Sequence, residues 1–127
     1  YQQFEHGRIY YRSGKTWVIP DWAQEQYEKI GALDSIIKLP ISDGKCTLKN
    51  DGCYQNFEIG RIYYTPATGA WDISGRIYDR WFALGTEWSD LGYPTSSEQL
   101  DENGIVYQQF EHGRIYYRSG KTWVEMN

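Results

Sequence analysis

The chain is poor in several things that would each have pointed to a function class. It has two cysteines, two histidines, one methionine, four prolines and four phenylalanines in 127 residues. Two cysteines without a neighbouring histidine or a second Cys pair leave a zinc site short of its four ligands. No apolar run approaches the roughly 18–20 residues that a membrane-spanning helix needs, and no charged-then-apolar leader opens the chain. Basic excess is missing too: the net charge is −4 and the pI about 5.1, whereas a nucleic-acid backbone calls for clustered Lys and Arg and a high pI. Nucleic acid is therefore not an expected partner, and no metal or cofactor is implied.

What is abundant is aromatic. Twelve Tyr and six Trp stand against the four Phe, a bias toward rings with a polar handle that suits half-buried or ligand-binding surfaces. The length is that of one ordinary domain.

The dominant pattern is repetition. Tyr1–Val18, YQQFEHGRIYYRSGKTWV, returns unchanged as Tyr107–Val124. A diverged copy lies between them, so that Phe4, Phe57 and Phe110 are spaced by 53. A fixed period of this size marks a tandem array whose units bury their apolar faces against one another. A surface presented several times then becomes the expected route to function, and a unique catalytic constellation becomes less expected.

Within a unit the periodicities change from two to 3.6. Residues 1–19 alternate as a hairpin around Ser13-Gly14, which sets Tyr10 opposite Trp17 and Ile9 opposite Val18, with Gly7 at a point where a side chain is unwelcome. Pro20 to Leu33 reads as an amphipathic helix ending near Gly31, with Trp22-Ala23, Gln26-Tyr27 and Ile30 at helical spacing. Lys45 to Tyr54 reads as two strands around Asn50-Asp51-Gly52. The second unit repeats this order, with a hairpin over Arg61–Ile73 and its turn lengthened to Pro66-Ala67-Thr68-Gly69. Its helix spans Gly75–Leu84, with Ile77, Trp81 and Leu84 as the buried stripe, and a third hairpin follows. The extra turn residue leaves open whether Trp71 faces Tyr63 or Tyr64. Cys46 and Cys53 flank a turn and are read as a short-loop disulfide, with two free thiols as the alternative. The first hairpin lacks the strand pair that precedes its siblings and the last lacks its helix, so both ends read as cut from a longer array.

The expected architecture is α+β, a single repeat domain over 1–127 with units at about 1–19 (partial), 20–73 and 74–127. Gly75, Ile77, Trp81, Gly85 and the run Leu91-Gly92-Tyr93-Pro94-Thr95-Ser96, with Glu98, resemble the LGFP tandem repeat. Phe57, Gly60, Ile62-Tyr63-Tyr64, Pro66 and Thr68-Gly69-Ala70 match the family's upstream segment. The chain departs from it at Trp71, where the family usually has His, and at Ile37-Lys38-Leu39-Pro40, where the name-giving motif has decayed. The resemblance implies an extracellular, non-catalytic module of bacterial envelope proteins, often attached to mycolyltransferases or peptidoglycan hydrolases and holding them to cell-wall polysaccharide.

Candidate ligand-binding residues follow from this. A flat ring can stack on the C–H face of a sugar while a guanidinium donates to its hydroxyls. Arg8, Tyr10 and Trp17, their copies Arg114, Tyr116 and Trp123, and their middle counterparts Arg61, Tyr63 and Trp71 form one such set. Against it stands the reading that these rings pack beneath a neighbouring helix, since a repeat must bury its seam somewhere. Trp88, Asp90 and Tyr93, in a loop with Thr95 and Glu98, form a second set, although Thr95, Ser96 and Glu98 also suit local bonding to the turn backbone. Asp90 and Glu98 are weighed as a glycosidase acid pair and set aside for want of any second feature. His6 and His112 read as solvent-facing turn residues. Asn50-Asp51-Gly52 and Asp101–Gly104 read as turns rather than calcium loops. The expected partner is cell-wall polysaccharide, with self-association through the identical ends as the rival.

Overall fold

A computed structural model describes residues 2–4, 7–12, 15–32 and 36–127, those up to Trp17 by their backbone alone. Among the described residues three antiparallel sheets alternate with two α-helices. The first sheet holds β1 (Gln2–Phe4), β2 (Gly7–Arg12) and β3 (Lys15–Pro20), and α1 (Asp21–Lys29) follows. The second holds β4 (Lys45–Leu48), β5 (Gly52–Asn56), β6 (Gly60–Thr65) and β7 (Gly69–Ser74), and α2 (Gly75–Leu84) follows. The third holds β8 (Gln99–Leu100), β9 (Val106–Phe110), β10 (Gly113–Arg118) and β11 (Lys121–Met126). The chain is thus α+β and built of tandem repeats. One strand of the pair expected to be missing from the first hairpin is present, because Gln2–Phe4 pairs with β2.

Hairpin register is as the alternation requires: Tyr10 lies opposite Trp17 and Ile9 opposite Val18, and Tyr116 lies opposite Trp123. In the middle unit Trp71 faces Tyr63, not Tyr64. The extra residue stays in the turn, where Gly69 takes a left-handed φ of 79° and lets a three-residue loop close the hairpin without shifting the pairing. Both helices stop on a glycine in the same conformation, Gly31 at φ 115° and Gly85 at φ 113°. The first helix is shorter than the Pro20–Leu33 reading, since its last backbone bonds are those from Ile30 and Gly31 to Gln26 and Glu28.

Each helix lies between the sheet before it and the sheet after it, and each such seam encloses a core. The first core contains Ile19, Ala23, Tyr27, Ile37, Phe57 and Ile62. The second contains Ile73, Ile77, Trp81, Leu91, Phe110 and Ile115, which are the same positions one repeat later, together with Tyr63 and Tyr93. Leu84, expected on the buried stripe, is 42% exposed, because the helix turns its Ile77–Trp81 line inward and ends one turn beyond it.

The glycine that begins each middle strand is required by close approach. A Cβ on Gly60 would meet the Ile73 carbonyl oxygen at 2.5 Å, and one on Gly113 would meet that of Glu125 at 2.6 Å. Cys46 and Cys53 are joined in a disulfide that ties β4 to β5.

Candidate functional site

The outer face of the third sheet carries Arg114, Tyr116, Trp123 and Tyr107. Strand alternation puts them on the side opposite Ile115, whose face lies in the second core. Tyr116 and Trp123 stack with centroids 5.4 Å apart and planes 5° from parallel. The Arg114 guanidinium sits 4.2 Å from the Tyr107 ring centre and donates to the Tyr116 hydroxyl at 3.2 Å. That bond holds the Arg114 pKa above its ordinary value. Tyr107, Arg114 and the largely buried Tyr116, with Asp101 and Glu102, line a polar hollow of about 420 Å³, and Trp123 is not part of that lining.

The middle unit uses the equivalent residues differently. Arg61 donates to the Tyr63 hydroxyl at 2.7 Å and lies 5.1 Å from the Tyr54 ring, which repeats the Arg114 arrangement. Here, however, α2 covers the face: Tyr63 meets Trp81 edge to face at 4.7 Å, and Tyr78 of the same helix lies 5.6 Å from Arg61. Tyr63 is 2% exposed, and burial pushes its hydroxyl up to about 12 against the opposing pull of Arg61. Tyr63 is therefore a seam residue and, contrary to the expectation from sequence, not part of an open ligand surface. Trp71 does not follow Trp123 either. Its Nε1 donates to the Thr68 carbonyl at 2.6 Å, drawing the ring toward the lengthened turn. The side chains of Arg8, Tyr10 and Trp17 fall outside the described residues.

The loop after α2 divides in the same way. Tyr93 is 1% exposed and donates to the Lys49 carbonyl at 2.7 Å, so it too leaves the candidate surface for the core. Burial, followed by the nearby Glu87 and Glu111 charges, raises its pKa. Trp88 is 72% exposed, with Lys49 Nζ 4.7 Å above its ring. Asp90 is exposed and lines a hollow with Arg80 and Met126, while Glu98 lines another with Leu100 and Val106. Burial and the neighbouring Asp72 hold the Glu98 carboxyl above its ordinary range. Ser96 fixes the turn as expected, accepting from the Gln109 backbone and donating to the Ser97 carbonyl. His112 is exposed, and His6 lies outside the described residues. Among the described residues no group of three or more His, Cys, Asp or Glu is placed to hold a metal ion, and no helix is long and apolar enough to cross a membrane.

One surface was missed by the sequence reading. Between α1 and the β6–β7 hairpin runs a groove of about 370 Å³ whose lining includes Trp22, Tyr64 and Trp71, with Asp21, Glu25, Gln26 and Lys29. Trp22 and Tyr64 stack at 5.8 Å. The helical stripe placed Trp22 with Ala23 on the core side. Its position at the edge of that stripe, one step from the acids of the first turn, was the signal that it borders solvent.

Sheets that share helices across a seam repeated from one unit to the next define a tandem-repeat module. The LGFP repeat family model matches residues 39–89 and 91–126, more than half of the chain, and the chain belongs to that family. Among curated proteins nothing matches it.

Proposed function

We propose that the chain is a non-catalytic, extracellular glycan-binding module that holds a protein to the polysaccharide of a bacterial cell envelope. Membership of a repeat family that is not catalytic supports this reading, and the family resemblance implies the wall setting. The observation that carries it is the outer face of the third sheet. Trp123, stacked on the largely buried Tyr116, supplies ring area, and Arg114, Asp101 and Glu102 in the adjoining hollow supply donors and acceptors for hydroxyls. One such site binds weakly, and several modules or sites on one protein raise the apparent affinity through effective concentration.

The test is co-sedimentation of the purified chain with bacterial cell walls before and after chemical removal of their polysaccharide. Under this reading the chain pellets with intact walls, and Trp123→Ala reduces the pelleted fraction without unfolding the protein. A folded chain that stays in the supernatant with every wall preparation removes the support for an anchor.

A second reading, a self-assembly module, is favoured by the middle unit. There the counterpart of the Arg114–Tyr116 face is a seam closed by a helix, so the open face has the chemistry to receive a helix from another chain. Solution mass that rises with protein concentration and ignores saccharide would favour this reading over the first.

A further inference from the structure

We infer that the groove between α1 and the β6–β7 hairpin is a binding subsite for a neutral, hydroxyl-rich pyranose unit of a glycan. This rests on the glycan-binding reading and adds to it a second location and a ligand class.

Its walls are preformed. Trp22 is wedged in place: it stacks on Tyr64, and a Cβ on Gly44 would come within 2.8 Å of both Trp22 Cζ2 and Pro20 Cγ. Trp71 already satisfies its N–H with the Thr68 carbonyl, so what it offers the groove is apolar ring area. Two indoles and a phenol ring around a space of about 370 Å³ fit the size and lining of small-molecule sites, about 300–1,000 Å³. A pyranose presents a C–H face to such rings and hydroxyls at its edge.

Edge chemistry narrows the class. Glu25 accepts from hydroxyls and Lys29 donates to them, and both side chains are exposed. Asp21 and Glu25 against Lys29 leave the lining without a cationic excess, so nothing recruits a phosphate, sulfate or uronate.

The neighbouring seam shows that the repeat does not require this groove. One repeat later Trp22 is replaced by Arg76, Glu25 by Asp79 and Gln26 by Arg80. Arg76 reaches across to the Gly120 carbonyl at 3.5 Å. Trp22 is therefore not a repeat-wide packing residue held by the fold; Tyr64 recurs as Tyr117, but the indole on the helix rim belongs to this seam alone among the two described.

The experiment is a tryptophan-emission titration of the whole chain with two probes, the neutral and the acidic polysaccharide fractions released from bacterial walls and separated by anion exchange. The expected result is a saturable shift with the neutral fraction and none with the acidic one. Affinity should fall about tenfold in Trp22→Ala, as loss of a ring platform predicts, and several-fold in Glu25→Gln, which removes an exposed charge and leaves the packing intact. Neutral-fraction binding that both variants retain but Trp123→Ala loses would overturn the groove and leave the glycan reading standing. Preference for the acidic fraction would overturn the ligand class. No response to either fraction, with no pelleting on intact walls, would remove the glycan reading itself.

Discussion

The two helix seams are nearly the same structure made from different residues. Gln55 donates from Nε2 to the carbonyls of Val18 and Ser42, and Gln108 donates to those of Asp72 and Ser96. Tyr27 closes its helix onto the loop by donating to the Lys38 carbonyl, and Trp81 does so by donating to that of Gly92. Glu58 accepts from the Leu39 backbone and Glu111 from that of Tyr93. Pro40 bridges to Phe57 as Pro94 does to Phe110. What differs is ring size inside and charge outside: Ala23 with Tyr27 becomes Ile77 with Trp81, and Trp22 at the rim becomes Arg76. The backbone bonds and the buried line define the repeat, whereas the rim is free to vary. A function that differs from seam to seam therefore belongs on the rim.

That comparison can be broken most forcefully at the large ring. Trp81→Ala removes the centre of the second core and its bond to Gly92, and should cost about 4 kcal/mol. Urea unfolding would show a lower midpoint, with changes concentrated in signals from the second seam. Loss spread evenly over both seams would mean that they are not separable neighbours.

The next largest effect is alkaline. The Tyr63 hydroxyl titrates ordinarily near 10 and in the folded chain at about 12. Its raised value means that the stability it confers is complete below pH 10 and is lost as pH rises through about 12. The full loss is about 3 kcal/mol, and Tyr93 shifts in the same direction. Urea midpoints at pH 8 and pH 11.5 test this, and an unchanged midpoint would show that Tyr63 is not buried against α2.

Removing either buried glutamine leaves two carbonyls without their donor. Gln55→Leu and Gln108→Leu should each cost about 2 kcal/mol, and near-equality between them is the sharper outcome, because it tests whether the seams share one scheme. The smallest effect expected is that of Arg76→Ala. Its exposed contact to Gly120 should be worth less than about 0.5 kcal/mol in a thermal melt.

Much of this fold was legible in sequence because a repeat states its own register. Identical hairpins, paired glycine stops at Gly31 and Gly85, and the shared spacing of Pro40 and Pro94 locate both α-helices and the three hairpins among the described residues. The site was less legible, for a physical reason. Alternation says which residues share a face of a sheet, but not whether that face meets water or a helix. The middle sheet is covered on both faces, Ile62 lying in the first core and Tyr63 in the second, so Tyr63 could not be told from its copy Tyr116, which is 9% exposed and lines the hollow of the third sheet. Tyr93 was hidden by its loop, since loop residues read as surface while its ring returns to the core. Trp71 was placed by a single inserted turn residue.

The aromatic residues divide into seam rings, such as Trp81, and rings that border solvent, such as Trp22 and Trp123. The most direct measurement follows the six indole N–H resonances of the whole chain by NMR as wall polysaccharide is added. Trp22, Trp71 and Trp123 are expected to shift while Trp81, bonded to Gly92 inside the second core, does not. Movement of Trp81 with the open indoles unmoved would contradict this division.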